Sequence, residues 1–67
     1  MIKIYGKTNC GRCQSLKNIL DEKKIAYEYI EDLKTLMMVA SKARIMSAPV
    51  VEKEDKVYTM EQFLEVL

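Results

Sequence analysis

The sequence predicts an α/β fold with the element order βαβαββα and a mixed four-stranded sheet flanked by helices. Short segments rich in alternating or β-branched apolar residues are separated by segments whose apolar residues recur every three or four positions. The chain has 67 residues, 49% hydrophobic and 31% charged, a balance typical of a compact soluble domain. We therefore expect one domain over residues 1–67. A βαβ unit pairs its strands in parallel and a final hairpin pairs them antiparallel, which makes the sheet mixed.

The first half of the chain supplies two strands around one helix. Residues 2–5 alternate apolar and polar side chains and end at Gly6, which predicts the first strand, and residues 7–9 form a polar turn. An apolar stripe then predicts a helix running to about Lys24. Residues 25–30 are aromatic and β-branched and predict the second strand. The stripe consists of Cys13, Leu16, Ile19 and Leu20.

Asp32 is expected to cap a second helix, which is rich in methionine. Thioethers adapt to irregular shapes, so we expect Met37, Met38 and Met46 to fill an irregular part of the core or a surface groove. The predicted apolar stripe of this helix contains Leu33, Leu36, Met37, Ala40 and Arg44.

The last third predicts a hairpin and a short helix. Residues 50–53 and 56–58 read as strands around the turn 54–55, which lacks the usual glycine. Thr59 and Gln62 match a capping box, and Tyr58 with Phe63 matches the accompanying hydrophobic staple. The helix, residues 60–67, is expected to pack on the sheet through Phe63, Leu64 and Leu67.

The balance of charged residues and the lengths of the apolar segments argue against a nucleic-acid-binding, secreted or membrane-spanning protein. Eleven Lys and Arg oppose ten Asp and Glu, so the chain lacks the strongly basic field of a nucleic-acid binder. The first 20 residues nevertheless contain four basic residues and no acid. No signal peptide or membrane span is apparent, and we expect a cytoplasmic protein with no membrane partner. In that compartment a cysteine pair is more often catalytic or metal-binding than structural.

Cys10 and Cys13, spaced as Cys-Gly-Arg-Cys between the first strand and first helix, carry the predicted chemistry. Cys10 falls at the helix start, where free backbone N–H groups favour a thiolate, and Lys7 and Arg12 add positive charge. Cys13 lies one turn later on the same face and can attack a mixed disulfide formed at Cys10. We interpret Cys10 as the nucleophile and Cys13 as the resolving thiol.

Other readings of the cysteine pair stay open. A structural disulfide would close a four-residue loop, which the chain-entropy model values at only about 2 kcal/mol. A zinc site needs more ligands than two thiols, and the chain has no histidine, so a metal or iron-sulfur module would need two chains sharing their pairs. A third alternative is an adaptor that binds partners through the methionine-rich helix.

The segment Tyr5-Gly6-Lys7-Thr8-Asn9-Cys10-Gly11-Arg12-Cys13 resembles the active-site segment of glutaredoxins, and Ser47-Ala48-Pro49 resembles their Thr-Val-Pro segment. The resemblance implies a thioredoxin fold, dithiol-disulfide exchange, and a cis Pro49 beside the redox pair. It also implies that the backbone of Ala48 pairs with an extended substrate. Further substrate contacts are expected from Tyr5, Thr8 and Thr59.

The sequence departs from the glutaredoxin pattern where that family holds glutathione. Glutaredoxins usually carry a Gly-Gly pair and an acid after the fourth strand, and this chain reads Tyr58-Thr59-Met60-Glu61. We expect a monomer without a tightly bound cofactor that reduces disulfide-containing protein clients. Its electrons would come from glutathione or from a thioredoxin-reductase-type flavoenzyme, and the missing Gly-Gly pair favours the flavoenzyme.

Overall fold

A computed structural model describes all 67 residues as four strands and three helices in the predicted order. The sheet order is β2-β1-β3-β4, with β1 and β2 parallel and the other two pairs antiparallel. The predicted mixed sheet is therefore confirmed. The elements are β1 (Ile2–Gly6), α1 (Gly11–Glu22), β2 (Tyr27–Glu31), α2 (Leu33–Ala43), β3 (Val50–Lys53), β4 (Lys56–Thr59) and α3 (Met60–Val66).

The sheet buries apolar side chains on both faces, because successive side chains of a strand point to opposite sides. On one face, Ile4 and Val51 pack with side chains of α1 and α3, among them Leu16 and Phe63. On the other face, Tyr5 and Val50 pack with Leu36 of α2. Two helices thus cover one face and one helix covers the other. None of the three helices is long and apolar enough to cross a membrane.

α1 ends two residues earlier than predicted, at Glu22. Lys24 adopts the left-handed conformation with a φ of 56°. The Ile25 N–H donates to the Leu20 carbonyl at 3.0 Å, a bond that closes the end of a helix and reverses the chain. Ile25, predicted to open the second strand, therefore belongs to the connection, and β2 begins at Tyr27.

The apolar stripe predicted on α2 is only partly buried. Leu36 is 6% exposed, and Ala40 packs beside it. Leu33 and Met37 are 58% and 62% exposed, and Arg44 lies outside the helix as its left-handed C-cap with a φ of 57°. These three residues of the predicted stripe are therefore exposed, because a helix on one face of a sheet buries only its sheet-facing side.

The three methionines predicted for the core or a groove do not fill the core. Met37, Met38 and Met46 are all exposed, and Met46 is fully so. Met37 and Met46 line a surface groove between α2 and the segment before β3. Of the two predicted locations, core or surface groove, Met37 and Met46 therefore occupy the groove. Met38 lies in neither.

β3 and β4 are joined by a two-residue turn, Glu54–Asp55, flanked by the pair Lys53 and Lys56. Glu54 and Asp55 have φ values of 49° and 66°. Two left-handed residues match the right-handed twist of a hairpin, and glycine or asparagine usually supplies them. Here two acidic residues adopt this conformation, which explains how the hairpin forms without a glycine.

α3 begins with the predicted capping box. Thr59 Oγ1 accepts a hydrogen bond from the Gln62 N–H at 3.1 Å, and Gln62 Oε1 accepts one from the Thr59 N–H at 3.1 Å. The Tyr58 and Phe63 ring centroids lie 6.2 Å apart, and Phe63 is fully buried. Leu67, predicted to pack on the sheet, is 41% exposed because the helix ends before it.

Candidate active site

The loop between β1 and α1 presents Cys10 at the start of a helix. Cys10 is the N-cap of α1, with extended backbone, and its Sγ accepts a hydrogen bond from the Cys13 N–H at 3.1 Å. The preceding residue, Asn9, has a φ of 58°, a conformation that asparagine tolerates better than most residues. A sulfur therefore occupies the place where unpaired N–H groups and the helix dipole stabilise negative charge.

The two cysteines form a disulfide but differ in exposure. Their Cα atoms are 5.2 Å apart. Cys10 is half-buried, whereas Cys13 is 1% exposed and lies on the same buried side of α1 as Leu16. An incoming sulfur atom therefore reaches Cys10 first. This is the asymmetry expected if Cys10 is the nucleophile and Cys13 the resolving thiol.

The cations near the motif have different surroundings. Lys7 is exposed and lines the cleft that contains Cys10. The Arg12 guanidinium is ion-paired with the Glu61 carboxylate of α3. The pKa of Glu61 is lowered, first by a hydrogen bond that its carboxylate accepts from the Glu61 backbone N–H and then by the charge of Arg12. Because Glu61 offsets the charge of Arg12, Lys7 is the predicted cation whose charge is left free to act on Cys10.

An open cleft of about 430 Å³ borders Cys10 on the β2 side. Four of its residues were not singled out from the sequence: Gln14, Lys17, Tyr29 and Glu31. Lys17 Nζ lies 4.1 Å from the centroid of the Tyr29 ring. The alternation of β2 could have placed Tyr29 on the side of α1, but its position along the motif depends on the register between β1 and β2. The cleft is lined by Lys7, Asn9, Cys10, Gly11, Gln14, Lys17, Tyr29 and Glu31.

The Ala48–Pro49 peptide bond is cis, as the resemblance implied. Tyr5 of β1 pairs with Val50 of β3. Continued by one residue, this register sets Pro49 opposite Gly6, at the end of β1 that leads into the cysteine loop. Pro49 is buried and Ala48 is half-buried. The segment before β3 therefore runs beside the loop that carries the redox pair.

An apolar groove of about 360 Å³ lies between α2 and the segment before β3. Lys7 and Ala48 line it at the end nearest the cysteine loop, and the exposed side chains of Met37 and Met46 contribute to its walls. Lys7 thus borders both this groove and the cleft at Cys10. The full lining is Lys7, Leu33, Leu36, Met37, Ala40, Ser41, Ile45, Met46, Ser47 and Ala48.

The other three predicted substrate-binding residues have different places. Tyr5 is 6% exposed, and its hydroxyl donates to Glu52 Oε1 at 2.8 Å; burial, followed by this bond, raises the pKa of Tyr5 to about 12. The Thr59 oxygen caps α3. Thr8 is exposed, donates to the Glu31 carboxylate at 3.3 Å, and lines a small cleft with Lys7. Of the three, only Thr8 lies at the surface next to the motif.

The structure contains no cluster of three or more His, Cys, Asp or Glu side chains that could hold a metal ion. One chain supplies two thiols and no histidine. A zinc ion or iron-sulfur cluster held by four protein ligands would therefore have to be shared with a second chain.

Comparison with known proteins agrees with this geometry. The sequence model of the family described as Glutaredoxin matches residues 2–57, a range that contains both cysteines and Pro49 and ends before α3. The crystal structure of the thioredoxin-like protein BC3987 superposes with a TM-score of 0.77 at 22% identity and covers 100% of both chains. A mutant of that protein gives the same TM-score and identity over 98% of this chain and 93% of the other. No curated protein sequence matches.

Proposed function

This chain belongs to the glutaredoxin family and is a thiol oxidoreductase with a thioredoxin fold, and we propose that it is a small electron carrier that reduces protein disulfides. The observation that carries the proposal is the asymmetric pair at the start of α1. A half-buried Cys10 caps the helix, and a buried Cys13 lies within disulfide distance of it. Such a pair can exist as a dithiol or as a disulfide without moving the backbone far.

The proposed reaction has two exchange steps. The Cys10 thiolate attacks one sulfur of a client disulfide, the client S–S bond breaks, and the other client sulfur leaves as a thiolate. The Cys13 thiolate then attacks Cys10 Sγ, which forms the Cys10–Cys13 bond and releases the second client thiolate. Two electrons pass from the carrier to the client, and the carrier ends in the disulfide form.

The charge of the Cys10 thiolate is supported by the helix and by one cation. The chain has no histidine to act as a base. The N-terminus of α1 and the exposed Lys7 supply the positive potential that favours a thiolate. Arg12 contributes less to this potential, because Glu61 pairs with it.

We assign substrate contact to the segment before β3 and to the cysteine loop. The backbone of Ala48, next to the cis bond of Pro49, pairs with an extended client, while Lys7 and Thr8 contact it from the loop. Tyr5 has no part in this assignment, because its side chain is buried between β1 and α2. Thr59 has none either, because its oxygen caps α3.

The cysteine roles are tested by serine substitutions. Cys10→Ser should abolish reduction of a disulfide-containing protein. Cys13→Ser should stop turnover after the first step and accumulate a mixed disulfide, which intact-protein mass spectrometry detects. A mixed disulfide in the Cys10→Ser variant instead would reverse the two roles. Unchanged turnover in both variants would reject the reaction.

The electron source is tested by a side-by-side assay. We propose a carrier of a reducing compartment such as the cytoplasm, with a thioredoxin-reductase-type flavoenzyme as its reductant. Residues 58–61 do not provide the Gly-Gly pair with which glutaredoxins hold glutathione. The oxidised protein should therefore be reduced faster by NADPH with thioredoxin reductase than by glutathione with glutathione reductase. Faster reduction by glutathione would overturn this choice of reductant.

A cluster-binding role makes a different physical prediction. A dimer that shares its two cysteine pairs around an iron-sulfur cluster would absorb visible light and have twice the mass of one chain. The carrier should be colourless and monomeric after anaerobic purification. A coloured dimer would favour the cluster module over the carrier.

A further inference from the structure

The buried cysteine needs a group that stabilises its charged form. Cys13 attacks as a thiolate, but it is 1% exposed, and burial in apolar surroundings disfavours a thiolate. No polar or charged residue lies among the buried residues around it, and the chain has no histidine. The backbone N–H of Cys13 is directed to Cys10 Sγ. A side-chain donor for Cys13 would therefore come from a half-buried neighbour.

Tyr29 of β2 reaches the space beside the Cys13 sulfur. A methyl group on Gly6 would collide with the Tyr29 hydroxyl and would lie 3.0 Å from Cys13 Sγ. The hydroxyl and the sulfur therefore border the same small space, which stays open because residue 6 is a glycine. This space lies beside Gly6, the last residue of β1, just before the loop that leads to Cys10.

The Tyr29 hydroxyl is free to donate. Tyr5 and Tyr27 donate to the carboxylates of Glu52 and Asp21. The hydroxyl of Tyr29 takes part in no hydrogen bond while the cysteines are oxidised. A disulfide sulfur carries no charge to attract a donor, whereas a thiolate does.

The charged groups around Tyr29 come from three elements. Lys17 of α1 lies over the ring, Glu31 follows on β2, and Lys7 lines the same cleft from the loop. Burial, followed by the charge of Glu31, raises the pKa of Tyr29. The hydroxyl therefore keeps its proton near neutral pH and remains a donor.

We propose that the Tyr29 hydroxyl donates a hydrogen bond to the Cys13 thiolate and so promotes the resolving step; this rests on the proposed dithiol reaction. The Cys13 thiol releases its proton to water, and the thiolate held by Tyr29 attacks Cys10 Sγ. The bond between Cys10 and the client sulfur breaks, and the client sulfur leaves with the electron pair as a thiolate. Tyr29 keeps its own proton throughout.

The test separates the two steps with a coloured probe. Reduced protein is mixed with one equivalent of the aromatic disulfide dithiobis(nitrobenzoate) in a stopped-flow instrument. The first coloured thiolate is released when Cys10 attacks, and the second when Cys13 resolves the mixed disulfide. Tyr29→Phe keeps the ring and removes the hydroxyl. We expect it to slow the second phase roughly tenfold, since hydrogen bonds to charged groups are the strong ones, and to leave the first phase unchanged.

The pH profile and a matched variant exclude a merely structural effect. In Tyr29→Phe the second phase should reach its maximum rate at a higher pH than in the wild type, because the Cys13 thiolate has lost its donor. Tyr27→Phe, which removes a hydroxyl from the same strand but one bonded to Asp21, should change neither phase. An unchanged second phase and pH profile in Tyr29→Phe would overturn the assignment of Tyr29 alone. Absence of both phases in the wild type would instead reject the dithiol reaction itself.

Discussion

At the scale of single residues, two identical side chains acquire different chemistry from their positions within one helical turn. Cys10 lies at the N-cap, where its sulfur accepts the Cys13 N–H and remains half-buried. Cys13 lies inside the turn and is almost fully buried. The cations differ in the same way, because Arg12 is paired with Glu61 and Lys7 is exposed in the cleft. The positive charge that each cation contributes near Cys10 therefore depends on which residues of the fold surround it.

Lys7→Ala should raise the pKa of the Cys10 thiol, because it removes a positive charge that favours the thiolate. Lys7 is exposed, so the rise should be largest at low ionic strength and should shrink as salt is added. Thiolate absorbance in the Cys13→Ser background measures the titration of Cys10. Lys3→Ala makes the same change in net charge at a site that does not line the cleft. If the Cys10 thiol titrates at the same pH in the Lys7→Ala and Lys3→Ala variants, Lys7 has no local effect on Cys10.

At the scale of elements, a few atoms at helix and strand ends decide where each segment stops. α3 has seven residues, too few for a helix that is stable by itself, and it combines a capping box with the buried Phe63. α1 and α2 end with left-handed residues, Lys24 and Arg44. The capping box was predictable because its pattern is local. The left-handed ends were not, because lysine and arginine carry no preference for that conformation.

Thr59→Ala should lower the free energy of unfolding by about 1 kcal/mol, because it leaves the Gln62 N–H without its side-chain acceptor. Denaturant unfolding of the oxidised protein measures the change. Thr59→Ser keeps the hydroxyl and should retain most of the stability. If the alanine and serine variants unfold at the same denaturant concentration, the cap does not stabilise α3.

At the scale of the whole molecule, the sheet brings the two motifs of the sequence together. β1 leads into the cysteine loop and β3 follows Pro49; these strands are antiparallel neighbours although 43 residues separate them in the chain. The hydrogen bond from Tyr5 to Glu52 joins the same two strands. The position of the site therefore depends on the pairing of β1 with β3.

The bond between Tyr5 and Glu52 should make stability depend on alkaline pH. Burial, followed by this bond, raises the pKa of Tyr5 from 10.0 to about 12. The folded state thus favours the neutral phenol, so its contribution is complete below pH 10.0 and is lost as the pH rises to about 12. The advantage of the wild type over Tyr5→Phe in unfolding free energy should shrink across this range.

Chemical denaturation of the disulfide form at a series of pH values measures this dependence. Glu52→Gln removes the negative charge that helps to raise the pKa of Tyr5, so the loss of stability should be confined to a narrower pH range. A difference between wild type and Tyr5→Phe that stays constant from neutral to strongly alkaline pH would show that Tyr5 titrates equally in the folded and unfolded states.

The order of the elements, the capping box of α3 and the position of the cysteine pair at the start of a helix could all be predicted from the amino-acid sequence. These features depend on periodicity, side-chain type and spacing over a few residues, which are local properties of a chain. The resemblance to glutaredoxins added the cis bond at Pro49, which local preference alone would not have indicated.

The side chains that surround the sulfur atoms, in contrast, are set by the three-dimensional packing of the chain. The partner of Arg12 lies 49 residues away in α3, and Tyr29 reaches the space beside Cys13 because the parallel register aligns β2 with the end of β1. Tyr5 is adjacent to Gly6 in sequence, yet its side chain belongs to the opposite face of the sheet. Strand register and the alternation of faces set these distances, and both are settled by the packing of the whole sheet.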